Sequence, residues 1–414
     1  MLKICVLGLG YIGLPTACIL ANNGYDVLGI DINEEIINKL NSGSIHINEP
    51  DLEKMFFDAF SNKKLKISEH LEKSDVFIIS VPTPLDNKNA DLSYITNAVN
   101  MISDYIEKRN LLILESTSPP GTTENLVGEI ILKKRGLKAG IDYYLAFCPE
   151  RVLPGKLIYE LINNDRVIGG INKESAERAK KIYKSFARGN FFLTDLKTAE
   201  FVKLAENTYR DVNLAFSNEL ALICDDYNIN IWDVIKIANK HPRVKILNPG
   251  PGVGGHCIPI DPWFILECTK YSNTLIEKSR EINKRMPLAV VDKILSIIKG
   301  IKKPKVTLFG ATYKENVDDI RESPTIVIVK ELLKKGIKVS IYDPIANNFK
   351  YSLSGLEDSL KKSNLVVLLV GHNTFRKINF NKMSKHMETK NILDTRNFYN
   401  REKSNKSGFN YFSI

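Results

Sequence analysis

Gly8-Leu9-Gly10-Tyr11-Ile12-Gly13 follows the short apolar run Lys3–Leu7 and opens the helix-like stretch Leu14–Asn22. A bare G-x-G-x-x-G is weak evidence, but between a strand signal and a helix signal it reads as a dinucleotide-binding turn. Gly8 permits the tight turn, Gly10 lets the backbone approach a pyrophosphate, and Gly13 lets helix and strand pack closely. The turn residues Tyr11 and Ile12 lead into a helix N-terminus whose amides and positive end suit phosphate. Asp31 follows the next strand, Asp26–Ile30, 18 residues after Gly13. A carboxylate there accepts hydrogen bonds from the adenine ribose and repels a 2′-phosphate, which favours NAD over NADP.

Outward from this turn the first half alternates strand-like and helix-like segments, predicting a parallel sheet covered on both faces. Val76–Val81, Leu111–Glu115 and Tyr143–Phe147 read as buried strands. Ligands of such sheets gather beyond the carboxyl ends of the strands. That singles out Pro82-Thr83-Pro84, Ser116-Thr117-Ser118 and Cys148-Pro149-Glu150-Arg151, with Thr83 and Thr117 as cofactor-contact candidates. Thr198–Tyr227 carries apolar residues at helical spacing without Gly or Pro and predicts one long helix. Trp232–Lys240 and Leu275–Arg285 are further helical runs. The α/β rhythm returns with strands at Lys305–Phe309, Lys338–Tyr342 and Leu365–Val370 and a helix at Pro324–Lys335. No second G-x-G-x-x-G occurs there, so this half need not hold another dinucleotide. The last fifteen or so residues are polar and read as loosely held. The predicted architecture is α/β: two doubly wound Rossmann-like domains, 1–190 and 291–414, joined by a central helical domain, 191–290, suited to dimerisation.

The chain has 414 residues and a formal charge of +10. That length exceeds one ordinary core. The basic residues are scattered, which argues against nucleic acid and for an anionic small substrate. No apolar run approaches the roughly 18 residues that span a bilayer. The six cysteines form no CxxC pair and no metal-like Cys/His spacing, so no metal site is expected. Their scatter fits a reducing cytoplasm.

Cys257 lies in Pro249-Gly250-Pro251-Gly252-Val253-Gly254-Gly255-His256-Cys257-Ile258-Pro259-Ile260-Asp261. A free cysteine is most often a small buried hydrophobe. Here glycines surround it, a carboxylate follows four residues on, and the chain also holds a hydride acceptor. Together these point to an aldehyde trapped on sulfur, oxidised to a thioester and hydrolysed. Lys203 could lower the thiol's pKa or be an exposed helix lysine. His256 diverges from its neighbour in an extended loop and reads as a shaping residue.

The chain resembles the UDP-glucose/GDP-mannose dehydrogenase family over almost its whole length. The matching segments are Val6–Pro15, Ser80–Pro84 (SVPTP), Glu115–Thr123 (ESTSPPGTT), Cys148–Gly155 (CPERVLPG), Glu200–Asn207 (EFVKLAEN), Gly252–Asp261 (GVGGHCIPID) and Gly310–Pro324 (GATYKENVDDIRESP). The resemblance implies NAD-dependent, four-electron oxidation of a UDP-sugar with Cys257 as covalent nucleophile. It implies that Lys203 and Asn207 stabilise an oxyanion, that Asp261 organises the site, and that Thr117 and Glu150 handle water and acid–base work, Glu150 as hydrolytic base. Glu150 could instead be paired with Arg151. Substrate contacts implied are Glu150, Lys203, Asn207, Arg243 (reaching toward a neighbouring subunit), Gly254, Lys314 and Arg396. Arg151 and Arg210 would read the acetamido group or the diphosphate, and Arg321 would lie near the cofactor. CPERVLPG, Asn164–Gly170, His241–Val244 and Asp261–Phe264 resemble the branch acting on UDP-N-acetyl-D-mannosamine. UDP-N-acetylglucosamine, UDP-glucose and a catalytically silent NAD-binding regulator are the alternatives. A homodimer or higher homo-oligomer is expected. Replacing Asp31 with alanine should cost roughly tenfold or more in NAD affinity, as expected for a hydrogen bond to a charged group. Fluorescence titration reads this, and unchanged affinity would refute the ribose assignment.

Overall fold

Ile4 and Val6 face one apolar cluster and Cys5 and Leu7 face another, so strand β1 (Lys3–Leu7) is buried on both sides. A strand covered on both faces reads as an unbroken apolar run. The computed structural model describes residues 2–414. They fall into two compact units, 2–206 with Trp263–Lys270, and Asn207–Pro262 with Tyr271–Ile414.

The first unit contains β1, β2 (Asp26–Ile30), β3 (Leu65–Ser68), β4 (Val76–Ile79), a small hairpin of β5 (Leu85–Asp86) and β6 (Asn89–Ala90), β7 (Leu111–Leu114), β8 (Tyr144–Phe147), β9 (Arg166–Gly170) and β10 (Phe191–Asp195). Eight of these form one sheet in the order β10-β9-β8-β7-β4-β1-β2-β3. The strand order reverses between β1 and β4, the crevice where doubly wound sheets bind dinucleotides. The parallel expectation holds for every neighbouring pair except β8–β9, which run antiparallel. β3, β9 and β10 lie outside the sequence reading; polar residues break their apolar patterns, as in Leu65-Lys66-Ile67-Ser68.

The second unit has β11 (Lys305–Phe309), β12 (Lys338–Tyr342), β13 (Leu365–Leu368), β14 (Asn391–Asp394) and β15 (Asn410–Ser413). They form an all-parallel sheet in the order β12-β11-β13-β14-β15, the other common doubly wound arrangement. Val306, Leu308, Leu365 and Val367 face one core, and Phe309, Val366 and Leu368 the other. The polar C-terminus is not loosely held: β15 pairs in register with β14, Asn391 opposite Asn410 and Asp394 opposite Ser413. Asn410 Nδ2 also bonds Asn391 Oδ1 at 2.9 Å. Backbone pairing holds the polar tail in place.

The long helix runs Leu196–Asp226, close to the predicted bounds. The helix expected to stop at Arg285 continues to Ile297 straight through Pro287. Proline removes one helical hydrogen bond, but Pro287 is buried and packs where a Cβ on Gly252 would meet it at 3.1 Å. Tertiary packing outweighs the local break.

A buried polar knot closes the mouth of the second sheet. Asp343, just after β12, accepts from Ala311 N at 2.6 Å and from His372 Nε2 at 3.0 Å. His372 is fully buried, and its Nδ1 accepts from Asn316 N at 2.9 Å, which assigns the proton to Nε2. The knot therefore holds the turn Ala311–Asn316 that carries Lys314. Burial alone would raise the Asp343 pKa, but the donors from His372 and Ala311 outweigh it and hold it at about 2. A carboxyl depressed on folding stabilises the protein above its unfolded pKa, and the contribution is lost as pH falls through the folded value. Wild-type stability should therefore drop by roughly 2 kcal/mol between about pH 4 and pH 2 through this group. Asp343→Asn should be less stable at neutral pH and flatter across that window in urea melts.

Candidate active site

In the first unit, the fingerprint glycines are fixed by close packing. Gly8 has φ +87°, and a Cβ there would lie 2.6 Å from Ser80 O. A Cβ on Gly13 would lie 1.8 Å from Gly8 O, whereas one on Gly10 would enter open space. That open cradle fits a dinucleotide pyrophosphate. The helix Gly13–Asn22 has no side-chain cap and no acid in its first turn, which leaves its positive end to an anion. Asp31 Oδ2 accepts from Leu9 N at 2.8 Å and Oδ1 from Asn33 N at 2.9 Å, so the carboxylate also braces the turn. Tyr11 bonds Glu49 through its hydroxyl, and Glu49 accepts from Gly155 N at 2.7 Å. Ile12 is the residue before the helix.

Beyond β4 and β7, Thr83 Oγ1 and Ser118 Oγ are buried hydroxyls with no partner among the described residues. Orphaned buried hydroxyls beside a dinucleotide turn are what a bound cofactor would satisfy. Thr117 lies half-buried between them in sequence. The loop is anchored by Glu200, fully buried on the long helix. It accepts from Gly121 N at 2.5 Å, Thr123 N at 2.8 Å and Thr123 Oγ1 at 2.6 Å. Lys203, one turn further along that helix, is 9% exposed. It is therefore not the exposed helix lysine that sequence left open.

Glu150 is not paired with Arg151. Arg151 makes a two-pronged contact with Glu206, at 3.0 and 2.5 Å, and donates to Asp165 O at 2.9 Å. The cation beside Glu150 is Arg166, with Nη1 4.0 Å from Oε2. Arg166 and the buried Glu115 are site-proximal residues that sequence reasoning passed over. The available signal was position: Glu115 follows β7 at a carboxyl end.

In the second unit, Asn207 Nδ2 donates to Asp261 Oδ2 at 2.6 Å, both side chains buried. The amides of Ile260 and Asp261 bond the Cys257 carbonyl at 3.0 and 2.8 Å, closing a turn that joins thiol and carboxylate. Cys257 is exposed, whereas Cys5, Cys18, Cys148 and Cys224 are buried. Burial pushes the Cys5 and Cys148 thiols up to about 12, unfit as nucleophiles. Cys268 is exposed as well, but partial burial and the neighbouring Glu267 raise its pKa.

The glycine loop is shaped by packing more than by ligand access. A Cβ on Gly254 would meet Tyr313 Cβ at 2.6 Å and one on Gly250 would meet Arg396 Nη1 at 2.5 Å. The loop thus rests on the two elements expected to grip substrate, the Lys314 turn and the Arg396 turn. Arg396 is held by Leu369 O at 2.9 Å. Gly255 N donates to Arg321 O at 3.0 Å, and the Arg321 guanidinium pairs with Asp319 at 2.8 and 2.5 Å. His256 sits by Arg321; burial and that charge push its pKa below the usual imidazole range. Arg210 and Arg243 are exposed. A row of buried polar residues ties this unit together. Asp211 binds Arg280 at 2.5 Å and Asn283 at 2.8 Å, Asn218 binds Asn283 at 2.9 Å, and Asn218 Oδ1 accepts from Gly250 N at 2.9 Å.

Three family profiles match in order: the NAD binding domain of the UDP-glucose/GDP-mannose dehydrogenase family over 2–187, its central domain over 197–285 and its UDP binding domain over 307–401. The chain is 53% identical to a UDP-N-acetyl-D-mannosamine dehydrogenase of Methanococcus vannielii, covering 98% of this chain and 95% of the relative. A solved UDP-D-ManNAc dehydrogenase from Pyrococcus horikoshii is 41% identical with TM-score 0.94, covering 100% and 99%. A UDP-N-acetyl-mannosamine dehydrogenase structure from Staphylococcus aureus is 44% identical with TM-score 0.91, covering 99% and 98%. The fingerprint turn, the orphaned hydroxyls and the exposed thiol now have their family: the chain belongs to the UDP-glucose/GDP-mannose dehydrogenase family and is an NAD-dependent dehydrogenase.

Proposed function

We propose that this enzyme oxidises UDP-N-acetyl-D-mannosamine to UDP-N-acetyl-D-mannosaminuronate, with the thiol of Cys257 carrying the intermediate. The supporting observation is the buried 2.6 Å bond from Asn207 to Asp261. It fastens the turn of the exposed Cys257 to the same helix that carries Lys203. Three functional stretches follow: residues 1–190 for NAD, 191–290 for chemistry and dimerisation, and 291–414 for the UDP group. Substrate identity rests on the relatives' names and on CPERVLPG and the segments around it.

The residues of the fingerprint turn would hold NAD, which when bound would supply a hydride acceptor, one NAD for each of the two oxidations, with the first NADH exchanged for a second NAD. The primary alcohol first gives its carbon-bound hydrogen as a hydride to the nicotinamide and its hydroxyl proton to water, leaving the aldehyde. Cys257 sulfur then adds to the carbonyl carbon, forming a thiohemiacetal that cannot escape. Lys203 and Asn207, four residues apart on one helix face, aim donors at its oxygen, where charge develops in the transition state. Asp261 orients the Asn207 amide through the 2.6 Å bond. Loss of the second hydride leaves a thioester. Glu150 removes a proton from the attacking water, Thr117 holds that water, and C–S cleavage releases the acid and restores the thiol. The electron balance is two NADH per sugar. Arg151, Arg210, Arg243, Gly254, Lys314 and Arg396 bind the UDP-sugar, and Arg321 lies by the cofactor.

A homodimer, formed along the long helix, belongs to the same proposal. Tyr209, Phe216 and Ile223, spaced by seven, are 65%, 49% and 48% exposed. A heptad of large apolar residues on one helix suits a second copy of that helix. Arg243 would then serve the partner's substrate. A cytoplasmic location is supported by six free cysteines, four of them buried as thiols.

With UDP-N-acetyl-D-mannosamine the enzyme should form two NADH per sugar; two NADH only with UDP-N-acetylglucosamine or UDP-glucose would overturn the sugar assignment. Cys257→Ala should lose acid formation by more than about a thousandfold while keeping NAD affinity, as expected for a lost covalent nucleophile. Light scattering should show a dimer that Phe216→Glu splits into monomers; a fully active wild-type monomer would refute the cross-subunit role of Arg243.

A further inference from the structure

Glu49 is a buried carboxyl, 5% exposed, that no step of the chemistry above uses. Its backbone is fixed from both sides. Ile47 and Leu52 are buried in the apolar cluster that Ile4 and Val6 face, and Leu52 N donates to Glu49 O at 3.3 Å. Its side chain joins two segments remote in the sequence. Tyr11 of the fingerprint turn donates its hydroxyl to Oε1, and Gly155 N donates to the same oxygen at 2.7 Å. Gly155 offers that amide from φ +87°, the left-handed region that favours glycine. It closes the loop Cys148–Gly155, which carries Glu150 and Arg151. Nearer its start, the loop is fastened by Arg151, which grips Glu206 and Asp165 O and whose carbonyl accepts from Asn164 Nδ2 at 3.0 Å. Between these points Leu153 N donates to Glu160 Oε2 at 2.8 Å. Tyr11 and Val152 pack against one and the same apolar cluster.

We propose that Glu49 is a positioning residue that ties the dinucleotide turn to the loop Cys148–Gly155, so that NAD seated at the turn also orders the loop carrying Glu150 and Arg151. What that order does for the reaction rests on the roles proposed above for those two residues. Tyr11 directly follows Gly10, the open cradle where a pyrophosphate would lie, so a dinucleotide there restrains the backbone that carries Tyr11. Both donors end on one oxygen. Each bond therefore holds the carboxyl where the other donor needs it, and a buried polar group is costly to leave without its partner. A ligand that stills one end of such a link lowers the entropy cost of ordering the other end.

Hydrogen exchange of the full chain, read by mass spectrometry on peptides covering 151–158 with NAD absent and present, tests the link without turnover. In the wild type NAD should slow exchange in this loop severalfold, because protection reports local opening. Glu49→Ala should abolish the slowing at NAD concentrations that fluorescence titration shows to be saturating. Tyr11→Phe, which removes only the donor from the turn, should abolish it as well. Glu49→Gln should keep it, since glutamine retains an Oε1 for both donors. The proposal is overturned if NAD leaves the wild-type loop unchanged, if the slowing survives in Glu49→Ala or Tyr11→Phe, or if Glu49→Gln behaves like Glu49→Ala. Where Glu49→Ala does not fold, Tyr11→Phe decides. Steady-state rates separate the underlying reading. At saturating NAD, Glu49→Ala should raise KM for UDP-N-acetyl-D-mannosamine and lower kcat severalfold, and Glu49→Gln should restore both. Slowing that depends on Glu49 together with unmoved sugar kinetics would keep the link and overturn the roles of Glu150 and Arg151.

Discussion

The loops of each unit depend on buried polar residues carried by the helix Leu196–Asp226. Glu200, Asn207, Asp211 and Asn218 are all 8% exposed or less. Glu200 bonds the Gly121–Thr123 backbone, Asn207 bonds Asp261, Asp211 bonds Arg280 and Asn283, and Asn218 bonds Asn283 and the Gly250 amide. Buried polar groups are costly unless every partner is in place. In the first unit Glu200 fixes the Gly121–Thr123 loop, and in the second Asn207 and Asn218 fix the Asp261 turn and the Gly250 loop. Lys203 sits among these residues, so its position is inherited from its neighbours.

The chemistry-bearing loops are positioned indirectly. Glu200 anchors the loop carrying Thr117, and Asp343 with His372 anchors the turn carrying Lys314. The glycine loop leans on Tyr313 and Arg396. In each case a buried residue fixes the loop or turn that carries a candidate site residue. Preorganisation of this kind lets donors stabilise developing charge without reorganising.

Arg166 shows the same indirect positioning in electrostatics. A carboxylate buried without a cation would be neutral. A single stacked guanidinium, held by Leu161 O and two aromatic faces, supplies that cation to Glu150. Burial pushes the Glu115 carboxyl up to about 7.

Sequence by itself determined the dinucleotide turn, the two α/β halves and the long helix, and it singled out the thiol of Cys257. These are local signals: glycine spacing between strand and helix, unbroken apolar runs and a thiol set in a glycine loop. It ran short where partners are distant in the chain. The strand Asn410–Ser413 looked like a polar tail because its stability comes from pairing with β14. The helix through Pro287 looked finished at Arg285 because its continuation depends on contacts with Gly252 and the core. Only the tertiary structure decided that Glu150 faces Arg166 and not the adjacent Arg151, and that Glu115 is buried beside them. Such choices are set by burial and by side chains that meet across a sheet, and no spacing along the chain encodes them.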